Sequence, residues 1–262
     1  MSEEKPDLKL DHRKWRRRQF IAYGVFALGG VATWRTWSWI KHAPDVNGTQ
    51  APLRRAFEFN EGVNSVIKSH GHLAPTYPIE QASRTLRSNG QAGVKQPIDL
   101  STWKLKVVKG DTPLEVTMDD LRAFPKTELC FEFKCIEGWS EITHWAGVRF
   151  SDFAAHFNLG TKSGAVPDPE KEDDLFAYTS LETPDGGYYV GIDMHSALHP
   201  QTILAYEHNG AALTVEHGAP LRLIIPTKYG VKNLKRIGTI AFSDTKPRDY
   251  WHERGYDYDC AL

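Results

Sequence analysis

The segment of residues 129–140 constrains the fold more than any other part of this chain, because its pattern changes abruptly in the middle. Apolar and polar side chains alternate up to Cys135, which predicts a strand with Phe131, Phe133 and Cys135 on one face. The alternation stops at Glu137. The sequence therefore places a thiol on the apolar face of a strand, at the point where a loop begins. That is a suitable position for a soft metal ligand.

Composition bounds the remaining possibilities. The chain has 262 residues, of which 40% are hydrophobic and 25% are charged, as in folded globular proteins. A formal net charge of -1 gives no case for nucleic-acid binding. Cys130 and Cys135 face opposite sides of the predicted strand, which argues against a disulfide between them. The third cysteine, Cys260, has no predicted role, and the cysteine spacing is not that of a zinc site.

The N-terminal segment has the order of an export signal. Residues 13–18 carry five positive charges, and residues 20–33 are uncharged. The run from Arg17 to Ile21 resembles the twin-arginine pattern, so we expect the export machinery that carries folded proteins to recognise it. An ordinary signal anchor with an incidental basic flank is the alternative.

The same segment is long enough to be retained as an anchor. Continuing to Ile40 gives 21 residues, about the length that spans a bilayer, and three tryptophans suit its interfacial end. The positive-inside rule then places the folded part in the periplasm or on the outer face of the cytoplasmic membrane. We predict a signal or anchor with a linker over residues 1–50, the linker residues being 42–52, and one folded domain over residues 51–262.

Strand patterns dominate the folded part. Alternating or apolar runs predict strands over residues 103–108, 176–183, 188–193, 221–225 and 234–242. Short helices are expected after Thr117 and from Ser151, each with a hydroxyl residue as its cap. Short helices among many strands predict an α+β domain that is mainly β.

A basic loop is the second part of the sequence that suggests a binding site. Its cations surround a turn between two strands and are Arg222, Lys228, Lys232, Lys235 and Arg236. Arg222 alternates with leucines, so we expect it to be buried and to need an anionic partner. Arginine and lysine around a backbone turn suit a phosphate. A solvated basic hairpin is the alternative.

The segments 134–140 and 217–235, in this order, resemble the sulfite oxidase family of molybdopterin-dependent oxidoreductases. Within that family the chain is most similar to the bacterial periplasmic protein-methionine-sulfoxide reductase type. The resemblance covers residues 84–250, with further support from 197–200 and 150–151. It implies the mainly β, mixed α+β domain of the molybdopterin-binding fold.

The resemblance also implies roles for individual residues. Cys135 is expected to ligate molybdenum and to be the catalytic residue. The molybdenum–molybdopterin cofactor is expected to be held by Asn89, Cys135, Ser180, His217, Arg222, Lys232, Asn233 and Lys235. Within this set, Asn89 and Ser180 are expected near the pterin, and the members from 217 onward near the phosphate. His217 stands where close relatives have Asn.

The implied activity is two-electron oxo transfer with a separate electron-transfer partner, a haem or quinone-linked membrane protein. Sulfite oxidases have a basic continuation after the cysteine, whereas Glu137 and Trp139 follow it here. This difference favours a neutral substrate such as a sulfoxide, free or protein-bound, over an anion. Sulfite oxidation and a membrane-tethered binding protein without catalysis are the alternatives.

Other residues allow simpler interpretations. Cys135 as a nucleophile would need a histidine base, for which His144 is the candidate. His195 and His199 are four apart, but the following proline and the missing glutamate argue against a zinc helix. One of these two histidines could still line a pocket. Trp139 and Trp145 are expected either to wall the metal site or to pack in the core.

Overall fold

The computed structural model describes residues 11–67, 69–109 and 113–262. The helices of this part are α1 (Asp11–His42), α2 (Ala51–Ile67), α3 (Met118–Arg122), α4 (Phe150–Phe157) and α5 (Met194–Ala197). The strands are β1 (Asp45–Val46), β2 (Thr49–Gln50), β3 (Leu105–Val107), β4 (Leu114–Val116), β5 (Thr127–Lys134), β6 (Ser140–Arg149), β7 (Tyr178–Glu182), β8 (Tyr189–Asp193), β9 (Ile203–His208), β10 (Ala211–Ala212), β11 (Arg222–Ile224) and β12 (Thr239–Ser243). The predicted α+β class is confirmed.

The longer strands form two sheets, and in each of them the spatial order of the strands differs from their order in the chain. Sheet A has the order β10-β9-β6-β5, with β11 also paired to β9, and every pair in it is antiparallel. Sheet B has the order β4-β3-β12-β7-β8, in which only the β12–β3 pair is parallel. The β5–β6 pairing runs without interruption from Thr127↔Gly147 to Lys134↔Ser140. This hairpin carries the cysteine segment.

Two apolar clusters hold the sheets in place. The larger one joins both sheets to α4, which contributes Phe150, Phe153 and Ala154 at helical spacing. The smaller one includes Leu129, Phe131 and Trp145 on one face of sheet A, with Phe133 packed against it. Each fully buried side chain of this size contributes roughly 1.5–3 kcal/mol relative to an exposed one. The predicted apolar face of β5 is therefore confirmed as a buried face.

Several predicted elements are confirmed and two need correction. Thr117 forms a capping box with Asp120, and β7 and β8 form the expected hairpin. Ser151 does not cap α4, because β6 runs straight into the helix and the cap position falls on Arg149 without a side-chain bond. The strand predicted over residues 234–242 begins only at Thr239, because Arg236 has a left-handed backbone with φ of 59°.

The N-terminal segment forms the continuous helix α1, whose apolar side chains are largely exposed; Phe20, Phe26 and Trp34 are 81%, 79% and 68% exposed. By hydropathy, no helix in the described part of the chain reaches the length and apolarity needed to span a membrane. The segment 42–52, which the sequence predicts to be a linker, contains the β1–β2 hairpin and the start of α2. Buried Arg54 ties this region to the C-terminal segment by donating to the Tyr256 and Asn47 carbonyls.

Candidate active site

Cys135 lies directly after β5, in the turn that leads into β6. The turn is closed by two main-chain hydrogen bonds, from Cys135 N to Trp139 O (2.9 Å) and from Gly138 N to Cys135 O (3.0 Å). Gly138 has φ of 88°, a left-handed conformation that glycine adopts without strain. The thiol is free and only 7% exposed. The structure thus has a buried thiol at the end of a strand, where the sequence predicted it.

The Cys135 thiol has two polar neighbours. The side-chain amide of Asn89 lies 3.6 Å from Cys135 Sγ and donates to Glu137 Oε2 at 3.0 Å. The same carboxylate oxygen accepts from Trp139 Nε1 at 3.2 Å. Arg87 stacks its guanidinium over the Trp139 ring, 4.7 Å from the ring centroid. A carboxylate is thus held in a fixed position beside the thiol by two N–H donors.

Cys135 opens into a cavity of about 270 Å³, referred to below as the cofactor cavity. Aromatic rings make up much of its wall, namely Phe133, Trp139, Trp145, Tyr188, Trp251 and Tyr256. Five of the other predicted site residues also line it, namely Asn89, His217, Arg222, Asn233 and Lys235. The cysteine turn and the basic loop, more than eighty residues apart in sequence, therefore meet at one cavity because β11 and β6 both pair with β9.

Arg222 is the buried cation of the cavity. It is 3% exposed and donates to the carbonyls of His217 (3.0 Å) and Asn233 (3.2 Å), and it lies 4.4 Å above the Trp145 ring. Its Nε is buried without a hydrogen-bond partner, and no described carboxylate pairs with the guanidinium. Burial lowers the pKa of Arg222 to about 9. An anion bound in the cavity would stabilise this buried, unpaired cation.

Lys235 and His217 face the same space. Lys235 Nζ donates to the carbonyls of Asn89 (2.7 Å) and Gly90 (3.0 Å) and forms no ion pair within the described residues. Burial, with the nearby Arg222 charge, lowers the pKa of Lys235 to about 8. Burial and the charges of Arg222 and Lys235 likewise lower the pKa of His217. The charged forms of Lys235 and His217 are therefore disfavoured, and a bound anion would stabilise them.

Asn233 shapes the loop rather than pointing free donors into the cavity. Its Oδ1 accepts from Ile225 N at 2.8 Å and its Nδ2 donates to Tyr229 O at 3.2 Å. Its carbonyl accepts from Arg222. Asn233 therefore fixes the backbone that orients the arginine.

Two predicted residues are not brought to the cavity. Lys232 is 1% exposed and donates to Asp249 Oδ2 (2.5 Å) and Gly191 O (2.9 Å), so its charge is neutralised inside the protein. Ser180 lies half-buried in the middle of β7, between its partners Ala241 and Gly191. Lys228 is likewise engaged by Asp259 and Asp193. Of the cations predicted to surround a phosphate, the structure leaves Arg222 and Lys235 facing the cavity.

The nucleophile alternative loses the base that the sequence suggested for it. His144 is opposite Cys130 in the β5–β6 pairing, not opposite Cys135, and does not line the cofactor cavity. Its Nε2 lies 3.4 Å from Glu128 Oε2, on the other face of the strand. His199 lies beyond the end of α5, and the described residues contain no group of three or more His, Cys, Asp or Glu side chains arranged to hold a metal ion.

Several cavity residues were missed by the sequence analysis. Tyr188, Trp251 and Tyr256 line the cavity, and Tyr188 donates its hydroxyl hydrogen to Val231 O in the basic loop. Their only sequence signal is the high aromatic content of the chain, because they come from distant strands and the C-terminal segment. Arg87 also lines the cavity, and its sequence signal is the run 87–90, which resembles the Arg/Asn pterin contact of the family.

The cavity fits a pterin cofactor that carries both a thiolate-bound metal and a phosphate. A free thiol supplies a soft ligand at one place, and a buried arginine with an orphaned Nε, together with an unpaired lysine, supplies an anion site at another. Aromatic walls lie between them. The thiol, the two cations and the aromatic rings together match the chemical groups of such a cofactor.

Comparison with known proteins gives a consistent result. The family model described as "Oxidoreductase molybdopterin binding domain" matches residues 91–251. A protein of Azospira oryzae, provisionally named as a protein-methionine-sulfoxide reductase subunit (YedZ1), is 31% identical over 217 residues, which are 82% of this chain and 78% of the relative. The protein-methionine-sulfoxide reductase catalytic subunit MsrP of Xanthomonas axonopodis pv. citri is 32% identical over 163 residues, 60% of this chain and 49% of the relative.

A further MsrP catalytic subunit, from Campylobacter jejuni, is 32% identical over 169 residues, 60% of this chain and 54% of the relative. The chain thus spans about half the length of these MsrP proteins. Among solved structures, the sulfane dehydrogenase SoxCD of Paracoccus pantotrophus is matched with a TM-score of 0.47 and 20% identity, covering 68% of this chain and 46% of that chain.

Proposed function

Because this chain belongs to the family of oxidoreductases with a molybdopterin-binding domain, we propose that it catalyses two-electron oxo transfer outside the cytoplasmic membrane, in the direction of sulfoxide reduction. The enzyme class and the molybdenum–molybdopterin cofactor expected from the sequence are those of the family. The names of the relatives support methionine sulfoxide as the substrate class.

The residues of the cofactor cavity divide into two groups under this proposal. Cys135 would hold the metal through its thiolate, and Arg222, Lys235 and His217 would hold the phosphate. Once bound, the cofactor supplies two-electron redox chemistry at a metal with sulfur ligands. Asn233 keeps Arg222 in position through its carbonyl, and Trp145 covers the guanidinium from the other side. Binding of the phosphate would pair the buried arginine that the protein itself leaves unpaired.

The single observation that carries the choice of substrate is the fixed carboxylate beside the thiol. Glu137 accepts hydrogen bonds from Asn89 and Trp139 and lines the cavity next to Cys135. A negative charge at this position opposes an anion such as sulfite and leaves a neutral sulfoxide unaffected. The aromatic rings of Phe133 and Trp139, stacked with centroids 6.1 Å apart, give an apolar wall for the carbon substituents of a sulfoxide.

The proposed reaction needs a source of electrons. A sulfoxide takes up two electrons and two protons and gives a sulfide and one water. Within the proposed reaction the electrons come from a separate partner linked to haem or to quinone. The words "subunit" and "catalytic subunit" in the names of the relatives support a partner protein. A methionine sulfoxide in a protein is compatible with this site, because Cys135 itself is buried but the turn that carries it exposes Glu137 and Gly138.

We place the reaction in the periplasm or on the outer face of the membrane. The support is the basic segment with Arg17 and Arg18, followed by the apolar part of α1. A pterin cofactor made in the cytoplasm must be inserted before the chain crosses, which suits a route for folded proteins.

The function is tested with protein purified from cells that make the cofactor. Metal analysis should find about one molybdenum per chain, and reduced viologen dye should support reduction of methionine sulfoxide. The specificity constant for the sulfoxide should exceed that for sulfite oxidation by at least about 100-fold, or ~2.7 kcal/mol. A loaded protein that oxidises sulfite faster than it reduces sulfoxides would overturn the proposal. A loaded protein without either activity would indicate a binding protein.

A further inference from the structure

Helix α2 turns its polar face toward the folded domain. Arg54, Glu61 and Asn64 share this face at helical spacing, and each is bound to the C-terminal part of the chain. Their partners are the Tyr256 carbonyl for Arg54 (2.8 Å), Lys246 Nζ for Glu61 (2.7 Å) and Asp259 Oδ2 for Asn64 (3.1 Å). Arg54 is almost completely buried. Hydrogen bonds and an ion pair therefore fix the orientation of α2 on the domain.

The opposite face of α2 is apolar and open to solvent. Phe59, Val63, Val66 and Ile67 are 71%, 44%, 84% and 67% exposed, and we call this set the α2 apolar face. Their spacing places them within about 100° of the helix surface. A surface helix of a globular domain normally buries its apolar side, so α2 has the reverse orientation. An exposed apolar face of this kind indicates a contact with a protein or a membrane.

The C-terminal end of α1 has the composition of the boundary between lipid headgroups and water. Trp34, Trp37 and Trp39 are 68%, 57% and 61% exposed. Lys41 Nζ lies 5.2 Å from the centroid of the Trp37 ring. Tryptophan at this boundary, with a lysine whose charged end reaches the water, is typical of helices that meet a membrane surface. This end of α1 is therefore suited to the lipid surface.

Helix α2 begins directly beside that end of α1. Residues 43–50 separate the two helices and fold back as the β1–β2 hairpin. Ala51 N donates to Pro44 O at 2.9 Å across the connection, and α1 contacts both β2 and α2. The hairpin therefore keeps α2 close to the aromatic end of α1.

The extent and the charge of the surface favour lipid over a protein partner. Stable protein interfaces take roughly 20–30 residues from each side, far more than the α2 apolar face offers. Arg55 is exposed one turn before Phe59, and a positive charge at this position suits anionic headgroups. Of the two acidic residues of α2, Glu61 is paired on the polar face and Glu58 lies to the side of the apolar face.

We propose that the α2 apolar face inserts into the surface of a lipid bilayer with anionic headgroups, and that this is a second membrane contact beside α1. The 17-residue helix would lie in the plane of the surface, as interfacial amphipathic helices do. The proposal uses the membrane location given under the proposed function and is independent of the reaction. Two contacts fix the orientation of a domain that could rotate about one.

The orientation matters because of what α2 holds. Arg54 donates to the carbonyl of Tyr256, and Tyr256 and Trp251 line the cofactor cavity. The segment bound by α2 is thus also part of the cavity wall. A lipid contact at α2 gives the cofactor cavity a constant direction relative to the membrane.

The first test measures the depth of the helix face itself, because total vesicle binding would also measure α1. In the full chain, Val66→Cys adds one exposed thiol for a fluorescent label, since Cys130, Cys135 and Cys260 are buried. The vesicles contain about three parts phosphatidylcholine to one part phosphatidylglycerol, with bromine on the acyl chains. Val108→Cys, at an exposed valine after β3, is the matched control. Bromine should quench the label at position 66 at least about threefold more than the label at position 108.

The same measurement distinguishes the other occupants. Equal quenching at the two positions, or none at position 66, overturns the proposal. If the emission of the label at position 66 responds to protein concentration and not to lipid, the face binds a second copy of the chain, and the proposal is wrong.

The second test changes the apolar character of the face. The label is placed at Phe59→Cys, and Val63→Asp/Val66→Asp should reduce its quenching by bromine at least about threefold, because charges oppose insertion. Val108→Asp/Val215→Asp introduces the same charges at exposed valines outside α2 and should leave the quenching unchanged. Since all four valines are exposed, each variant should fold, which circular dichroism checks. Unchanged quenching in Val63→Asp/Val66→Asp, or an equal loss in both variants, overturns the proposal.

Activity separates this proposal from the proposed function. Sulfoxide reduction by the molybdenum-loaded protein with viologen dye needs no membrane, so Val63→Asp/Val66→Asp should retain the wild-type rate. Failure of the reaction in the wild type sinks the proposed function and leaves the quenching result standing. Failure of the quenching test removes the lipid contact and leaves the reaction untouched.

Discussion

Lys232 Nζ donates to Asp249 Oδ2 over 2.5 Å, with both side chains almost completely buried. Asp249 is held in turn by the main-chain N–H groups of Gly191, Trp251 and His252. The pair connects the basic loop to the C-terminal segment. Three positions further along, Lys235 has no ion pair within the described residues and faces the cofactor cavity. Two lysines of one basic loop thus have different tasks, one structural and one directed at a ligand.

The Lys232–Asp249 pair predicts a stability effect. Lys232→Met removes the partner of a buried carboxylate and should lower the free energy of unfolding by about 3–5 kcal/mol in urea titrations. Lys232→Met/Asp249→Asn removes the uncompensated charge and should recover part of the loss. Lys235→Met is the control, expected to cost less than about 1 kcal/mol in the cofactor-free protein. Equal destabilisation by Lys232→Met and Lys235→Met would contradict this division of tasks.

The thiol at the end of β5 predicts the metal content. Cys135→Ser replaces a soft sulfur ligand with a hydroxyl, so the purified variant should contain less than about a tenth of the wild-type molybdenum. Cys130→Ser is the matched control, because Cys130 lies on β5, which leads to Cys135, and is absent from the cofactor cavity. It should keep its metal. Wild-type molybdenum content in Cys135→Ser would remove this residue from the metal site.

Anion binding should weaken as the pH rises. Burial lowers the pKa of Lys235 to about 8, and the charged form is the one that binds an anion. Affinity is therefore full below that pH and falls above it, by up to about tenfold per pH unit. The measurement is calorimetry of sulfate binding to cofactor-free protein between pH 7 and pH 9, a range in which sulfate keeps its charge. Lys235→Arg should flatten the profile, since arginine stays protonated. An unchanged slope in that variant would assign the titration elsewhere.

The carboxylate next to the thiol predicts specificity. Glu137→Gln keeps the side-chain shape and removes the charge, so the affinity for sulfite, measured as inhibition of sulfoxide reduction, should increase about threefold to tenfold. Glu128→Gln, on β5, the strand just before the turn, but outside the cofactor cavity, should leave sulfite inhibition unchanged. Equal effects in the two variants would point to net charge rather than to the position of Glu137.

The paired arginines predict the export route. Arg17→Lys/Arg18→Lys keeps the positive charge and removes the twin-arginine pattern, so the protein should accumulate in the cytoplasm on cell fractionation. Arg35→Lys, in the same helix, is the control and should be exported normally. Normal export of the double variant would favour the ordinary signal-anchor interpretation.

The cysteine turn could be predicted from the sequence because its information is local. Alternation fixes which face of β5 is apolar, and Gly138 permits the left-handed turn that follows. The capping box at Thr117 was predictable for the same reason, since all its hydrogen bonds lie within four residues. The start of β12 was not, because the left-handed backbone at Arg236 is held by contacts with Ala219 and Gln96, distant in sequence.

By itself the sequence determined the position of Cys135, the basic character of the loop from 217 to 236, and the family through two motifs in order. Only the tertiary structure decided which of the loop cations face the cavity. Charge and spacing make Arg222, Lys232 and Lys235 look alike, but Asp249 comes from elsewhere in the fold and neutralises Lys232. The local sequence pattern determines on which face of a strand a side chain lies, and long-range packing determines which residues that side chain contacts.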